Sequence, residues 1–282
     1  MKSLLIKFSL PVLMSMALVS GCTKKFAEIN TDPDALSDVP PANMLTNVLR
    51  NTAESFGGDV DGYGTFAGYI VKIQYMDYMD GLNPTNNTYG NRWYNCYYNN
   101  TQIKDILAKT EDRAEGFKNI RFVSRIWRNY MWFLLTEGWR NVPYSEALKG
   151  KPEDGSLLLA KYDKQEDIYP AIMADLKNIA DEMAAGFGED ELGNFDIVYW
   201  EDDRSVAEEM LLWQKFCNSL RLRMAIRISG VSSNLAKSTI EEITGAPTKY
   251  PLIESNEENC VIQFPGELPY LEPWYNSGIY GK

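Results

Sequence analysis

The chain has 282 residues and carries 39 acidic against 28 basic side chains, which gives a formal net charge of −11 at pH 7. An acidic surface repels polyphosphate, so nucleic acid is excluded as a partner. The sequence contains no histidine, which also excludes Ser–His–Asp catalysis, Cys–His catalysis and His-ligated metal sites. We expect no cofactor and no metal, in a chain long enough for one large domain or two small ones.

The N-terminus has the pattern of a secretory leader. Lys2 and Lys7 precede an apolar run over 8–19 that is too short to span a bilayer. Val19-Ser20-Gly21-Cys22 follows in the form of a bacterial lipobox, with small residues before a cysteine that accepts acyl chains. We therefore predict a lipoprotein signal peptide over 1–21, lipid attachment at Cys22 and a polar tether over 22–41. The alternative is an ordinary cleaved signal with an accidental cysteine.

From residue 42 onward, apolar residues recur at helical spacing. This pattern predicts helices over 42–56, 63–79, 91–109 and 116–137. Asp163 and Glu166 have the spacing of a capping box, which predicts the start of a further helix there. The last long helix has the most regular apolar stripe, which consists of Val206, Met210, Trp213, Cys217, Leu220, Met224 and Ile228. It is predicted to end near Ser229-Gly230.

Between these helices we expect long loops over 80–90, 138–161 and 186–203, and an irregular tail after Ile243. The only strand candidate is Val261–Phe264. The pattern therefore predicts a mostly α fold built from helix pairs, with long loops and little strand. Three widely spaced cysteines remain after Cys22, and we expect them to be free thiols: Cys96, Cys217 and Cys260.

Two segments suggest cofactor or metal binding, but each lacks a feature that such a site requires. Residues 62–67 match the G-x-G-x-x-A form of a dinucleotide loop, but turn-forming residues precede them where that loop needs a strand. The acidic loop over 189–203 lacks the spacing of an EF-hand. We therefore assign neither a dinucleotide site nor a calcium site.

Charged clusters on the helices favour a structural interpretation. The acids at 201–203 and 208–209 suit a solvated helix start, because the helix dipole favours negative charge there. The three arginines of the last long helix suit ion pairs with acids on neighbouring helices: Arg221, Arg223 and Arg227.

The chain is rich in aromatic residues, with 17 Tyr, 11 Phe and 7 Trp. Helical spacing places Trp93 and Tyr97 on a core face and leaves Tyr94 and Tyr98 to solvent. Loops carry binding groups more often than helices do, so we take the aromatic and amide residues of two irregular segments as ligand-binding candidates: Tyr75, Tyr78, Asn83, Tyr270, Trp274 and Tyr275. The alternative is that these side chains fold inward and fill a core.

Five segments, in order along the chain, resemble the SusD/RagB family of outer-membrane lipoproteins. Val142-Pro143-Tyr144-Ser145-Glu146-Ala147 is similar to that family's G-D-[IV]-P-Y-S-E-A turn, with Arg140-Asn141 in place of the usual Gly-Asp. The 213–227 segment, WQKFCNSLRLRMAIR, resembles the family's signature helix. The other three segments are 30–34, 162–176 and 196–199.

This resemblance implies a fold of tetratricopeptide-like helix pairs, an α-α superhelix, over 42–282. It implies a binding protein and not an enzyme. Such a protein is lipid-anchored at the surface of the outer membrane, captures a glycan and delivers it to a SusC-type TonB-dependent transporter. Peptide binding is an alternative within the family. Family members run to about twice this length, so we expect the chain to be incomplete at its C-terminus.

Two other classes of function stay open. A histidine-free surface glycoside hydrolase would need two carboxyl groups facing one cleft, and no such pair is evident in the sequence. A purely structural partner of the transporter would use the helical surface as an interface.

Overall fold

Six α-helices of more than ten residues follow one another through the described part of the chain. The computed structural model describes residues 38–71, 90–150, 159–268, 270–273 and 275–276, and those from Pro40 onward belong to one unit. The helix bounds are Pro41–Phe66 (α1), Gly90–Lys109 (α2), Lys118–Trp139 (α3), Gln165–Ala185 (α4), Val206–Arg227 (α5) and Ser233–Gly245 (α6).

Each helix packs mainly against the next one in the chain, from α1 through to α6. Consecutive helices therefore form pairs, in agreement with the predicted fold of helix pairs. The described strands, Val142–Pro143 (β1) and Tyr162–Asp163 (β2), form one short antiparallel ladder with Val142 opposite Asp163. Short 3₁₀ turns complete the described elements: Glu111–Phe117, Gly193–Phe195 and Asn256–Glu258.

The core is centred on α3, which also contacts α1 and α5 in addition to its chain neighbours. Its predicted stripe is confirmed: Ile120, Val123 and Trp127 are buried, and Tyr130 and Leu134 are partly buried against the core. The stripe on α5 is confirmed as well, since every member from Met210 to Ile228 is buried. Cys96 and Cys217 are buried free thiols, and Cys260 is a partly buried one.

The loop over 186–203 is irregular, as predicted, and it is fastened to the start of α3. The Asp190 carboxylate accepts the backbone N–H groups of Asn119 at 2.9 Å and Ile120 at 3.1 Å. The Asn119 side-chain amide in turn donates to the Gly188 carbonyl and accepts the Gly188 N–H. An acid from the loop thus satisfies helix N-terminal amides that have no partner within their own helix.

The prediction of two helices over 42–56 and 63–79 is wrong, because α1 runs without a break to Phe66. It ends there in a Schellman motif: the N–H of Gly68 bonds the carbonyl of Thr65, and the N–H of Tyr69 bonds that of Gly64. Gly68 has φ +75°, the left-handed conformation that this helix stop requires. The predicted loop over 80–90 falls on residues outside the described ranges, except for Gly90, which begins α2.

Two further expectations are wrong. Val261–Phe264 is not a strand, because it forms no ladder with any residue of the described ranges. Asp163 does not cap α4; its carboxylate instead accepts the N–H groups of Tyr144 at 3.1 Å and Ser145 at 2.7 Å and the Ser145 hydroxyl at 2.8 Å. Asp163 therefore holds the turn that follows β1.

Candidate functional site

A groove between α1 and α2 gathers aromatic, amide and acidic side chains. Each helix supplies residues at helical spacing, so one face of α1 lies opposite one face of α2. The groove encloses about 300 Å³ and is lined by Asn51, Glu54, Ser55, Asn91, Tyr94, Asn95 and Tyr98. We call it the Tyr94–Tyr98 groove.

The two tyrosines present parallel rings to solvent. Tyr94 is 64% exposed and Tyr98 45%, and their ring centroids lie 5.8 Å apart with planes inclined by 11°. Trp93 and Tyr97, rotated by about 100° around α2 from these tyrosines, pack against Trp139 and Trp132. The predicted division of α2 into a core face and an exposed face is therefore confirmed.

Glu54, the acidic residue of the groove, is paired with Arg50. Arg50 Nε donates to the Glu54 carboxylate at 2.7 Å, and the same guanidinium lies 4.0 Å from the centroid of the Tyr270 ring. Arg50 thus connects an aromatic residue of the C-terminal tail to the α1 wall of the groove. A cation over an aromatic face is attractive, so Tyr270, one of the predicted candidates, is placed beside this site.

This arrangement suits a neutral ligand rich in hydroxyl groups. The amides of Asn51, Asn91 and Asn95 can each donate and accept hydrogen bonds, and Glu54 accepts them. Flat tyrosine faces offer apolar contact surface with a polar tip. A concave site lined by aromatic side chains and a few polar groups is the usual form of a small-molecule site.

Most of the predicted ligand-binding residues fall outside the described ranges: Tyr75, Tyr78, Asn83 and Trp274, together with the lipid-attachment residue Cys22. Tyr275 is described and exposed; its backbone N–H donates to Glu272 at 2.7 Å, and it does not line the Tyr94–Tyr98 groove. The sequence-based candidates came from loops, so they did not include Tyr94 and Tyr98, which lie on a helix. The sequence does contain a signal for these two tyrosines: they are four residues apart, on a helix face that has no other aromatic or aliphatic residue.

Two of the three α5 arginines form the predicted ion pairs with acids on neighbouring helices. Arg221 pairs with Glu242 of α6 at 2.7 Å, and Arg227 pairs with Glu137 of α3. Arg223 instead places its guanidinium 5.4 Å from the Phe133 ring centroid.

The prediction of solvated acids holds for 201–203 but is wrong for Glu209. Its side chain is buried, with 3% of the residue exposed, beside the equally buried Asp196. Burial raises the pKa of Glu209, and its hydrogen bond to Asp196 raises it further. Asp196 also accepts the Trp213 indole N–H at 2.6 Å and the backbone N–H of Val198 at 3.0 Å, so this pair joins the 186–203 loop to α5.

The described ranges contain neither a metal-binding cluster nor a membrane-spanning helix. No group of His, Cys, Asp or Glu there is arranged to hold a metal ion. None of the helices in that part of the chain combines the length and apolar character needed to cross a membrane.

Comparison with known proteins identifies the family. A family model described as SusD-like, "Starch-binding associating with outer membrane", matches residues 33–281. The chain therefore belongs to the SusD-like family. No curated protein sequence matches it.

Solved structures share the fold. A SusD/RagB family protein from Bacteroides thetaiotaomicron superposes with a TM-score of 0.68 at 20% identity, over 85% of this chain and 48% of that one. A SusD homolog from Parabacteroides distasonis gives 0.68 at 17%, over 86% and 46%. A chitin-binding protein gives 0.62 at 25%, over 80% and 46%. The chain thus spans about half the length of the solved structures it matches.

Proposed function

We propose that this protein is a nutrient-binding lipoprotein of the cell surface that captures an oligosaccharide in the Tyr94–Tyr98 groove. The observation that carries the proposal is the pair of parallel, exposed tyrosine rings beside three asparagines and Glu54. Aromatic faces accept the apolar C–H faces of sugar rings, and amide and carboxylate groups bond their hydroxyls. The description of the family as starch-binding and the chitin-binding relative support the same ligand class.

The lipid anchor and the transporter partner are proposed from the sequence and its family resemblance. Acylation of Cys22 would anchor the chain in the outer membrane, since two or more acyl chains give stable attachment. A binding protein held there can deliver its ligand to a SusC-type TonB-dependent transporter. The family's description as outer-membrane-associated supports this location.

Calorimetric titration with oligosaccharides of starch, chitin and other glycans tests the ligand class. We expect saturable binding of at least one glycan, weakened about threefold to tenfold by Tyr94→Ala or Tyr98→Ala, because an aromatic contact contributes about 0.5–1.5 kcal/mol. Trp200→Ala is the matched control, since Trp200 is an exposed aromatic residue that does not line the groove. Equal affinities for all three variants would contradict this site.

The same titrations separate the alternatives. If the protein binds peptides, a peptide panel will titrate through the groove while the glycans stay silent. If it is a surface glycoside hydrolase, labelled polysaccharide will release products, and a single carboxylate change will abolish the release. Silence of both panels, with capture of an intact transporter, would favour a structural partner.

The anchor has its own test. Cys22→Ala should remove the protein from the outer-membrane fraction of fractionated cells, because it removes the residue that accepts the acyl chains. Unchanged retention of the variant in the outer membrane would contradict lipid attachment at Cys22.

A further inference from the structure

Arg140 occupies a backbone conformation that arginine rarely adopts. At the end of α3 it has φ 64° and ψ −90°, in the positive-φ region that favours glycine. Two contacts hold it there: its N–H donates to the Thr136 carbonyl at 2.8 Å, and the Thr136 hydroxyl donates to its carbonyl at 2.6 Å. The turn that this segment resembles has glycine at this position, so the arginine side chain is present despite a conformational cost.

The side chain lines a second groove, formed by the ends of α3 and α5 and the starts of α4 and α6. This groove encloses about 750 Å³, and we call it the Arg140 groove. One part of its wall is apolar, because Pro170, Ile228, Val231 and Leu235 line it. Val231 is 90% exposed, so this apolar surface is open to a ligand.

The other charges of the Arg140 groove are compensated within the protein. The Glu137 carboxylate accepts the Tyr169 hydroxyl on one oxygen and pairs with Arg227 through the other. Glu166 pairs with Lys164 at 2.9 Å. Arg140 makes no ion pair and no side-chain hydrogen bond with any described residue, although the chain as a whole is acidic.

We propose that the Arg140 groove binds a small organic carboxylate with an apolar body. The planar guanidinium of Arg140 would bind the carboxylate in bidentate fashion. Val231, Leu235 and Pro170 would cover the apolar body. The site uses different helices from the Tyr94–Tyr98 groove, so this inference does not depend on the proposed function.

Binding of N-acetyl-L-leucine, followed by NMR or calorimetric titration, tests the proposal. We expect saturable binding of this acid, no binding of N-acetyl-L-leucinamide, which lacks the charge, and weaker binding of glucuronate, which lacks the apolar body. Arg140→Ala should weaken binding of the acid by about tenfold or more, the usual effect of losing a charged hydrogen-bonding partner.

Two variants keep the result interpretable. Arg140→Gly fits the backbone conformation, so its melting temperature should rise while binding is lost; this separates a binding role from a folding role. Lys237→Ala removes one positive charge from the exposed side of α6 and should bind as the wild type does. Equal binding of acid and amide, unchanged affinity in Arg140→Gly, tighter binding of glucuronate, or no saturable binding of the acid would each overturn the proposal.

Discussion

Glu209 shows how a helix places two adjacent acids in different surroundings. Glu208 bonds back to Ser205 at the start of α5, whereas Glu209 is rotated by about 100° around the helix axis and enters the core beside Asp196. Its Oε1 atom is buried without a partner among the described residues. A buried carboxyl group avoids the cost of desolvating a charge by keeping its proton.

Glu209 should therefore make the protein less stable as the pH rises. Because its pKa is raised in the folded state above the ordinary 4.5, its contribution is fully present below pH 4.5 and is lost toward the raised value. Glu209→Gln should be close to wild type near pH 4.5 and more stable at pH 8, with the gap growing by up to about 1.4 kcal/mol per pH unit.

Urea unfolding at several pH values measures this difference. Glu201→Gln is the control, since Glu201 is an exposed acid of the same region, paired with Arg204 at 2.8 Å. Parallel pH profiles for wild type and Glu209→Gln would show that Glu209 is ionised in the folded protein.

The sequence could not separate Glu209 from its exposed neighbours. Five acids occur within 201–209, and the dipole argument applies equally to 208 and 209. The deciding contact is with Asp196, which is thirteen residues away across an irregular loop. The same limit applies to Arg140, where the resemblance indicated a missing glycine but only the backbone angles gave the consequence.

At the scale of elements, the capping box lies at the start of α5 and not at the start of α4. The Ser205 hydroxyl accepts the N–H of Glu208 at 3.3 Å, and the Glu208 carboxylate accepts the N–H of Ser205 at 3.0 Å. Both groups are provided by the local sequence Ser205-x-x-Glu208, which has the standard pattern.

Ser205→Ala should destabilise the protein by about 1 kcal/mol, the usual cost of losing an N-cap. For a domain of this size the melting temperature should fall by roughly 2–4 °C. Ser232→Ala is the matched control, because Ser232 precedes α6 without a side-chain capping bond. Differential scanning calorimetry of both variants checks this prediction, and equal shifts would contradict a specific role for the Ser205 cap.

The apolar stripes were sufficient to predict most of the helices, since each stripe needs only one buried face. They did not predict the continuity of α1, because Gly57 and Gly58 suggested a turn while the helix continues through them. A glycine in a helix costs only about 1 kcal/mol, which tertiary packing can override. Val261–Phe264 has strand-like residues but forms no ladder with any described residue, so its β propensity alone did not produce a strand.

The candidate site was less predictable than the fold. Tyr94 and Tyr98 were correctly expected to be exposed, yet nothing in α2 alone indicates that Asn51 and Glu54 of α1 lie opposite them. A groove is a property of two packed helices, and helix packing depends on side chains far apart in the chain.

At the scale of the whole described unit, a charged cluster joins the last three helices. Lys177 of α4 contacts Asp181 at 3.0 Å and Glu242 of α6 at 2.6 Å, and Glu242 also pairs with Arg221 of α5. Asp181 accepts the Tyr250 hydroxyl at 2.6 Å. Because α6 packs mainly against α5 and this cluster also joins it to α4, the cluster helps fix the end of the helical array.

The cluster should make this region sensitive to acid. Burial alone raises the pKa of Asp181, but hydrogen bonds from Lys249, Tyr250 and Lys177 outweigh it, so the pKa lies below its ordinary 3.8. Such a group contributes stability above the ordinary pKa that is lost as the pH falls through the lowered value. Asp181→Asn should therefore lose about 1 kcal/mol at pH 7, a value reduced by the partial exposure of the pair, and should approach wild type near pH 2.

Chemical denaturation between pH 2 and 7 measures this convergence, and Glu241→Gln provides the control. Glu241 forms an exposed pair with Lys237 at 3.7 Å on the same helix as Glu242, and such pairs contribute little. If Asp181→Asn and Glu241→Gln lose the same small amount at every pH, the cluster does not stabilise the docking of α6. If only Asp181→Asn shows the pH-dependent loss, the acid sensitivity arises where α4, α5 and α6 meet, and hydrogen exchange should show α6 opening first as the pH falls.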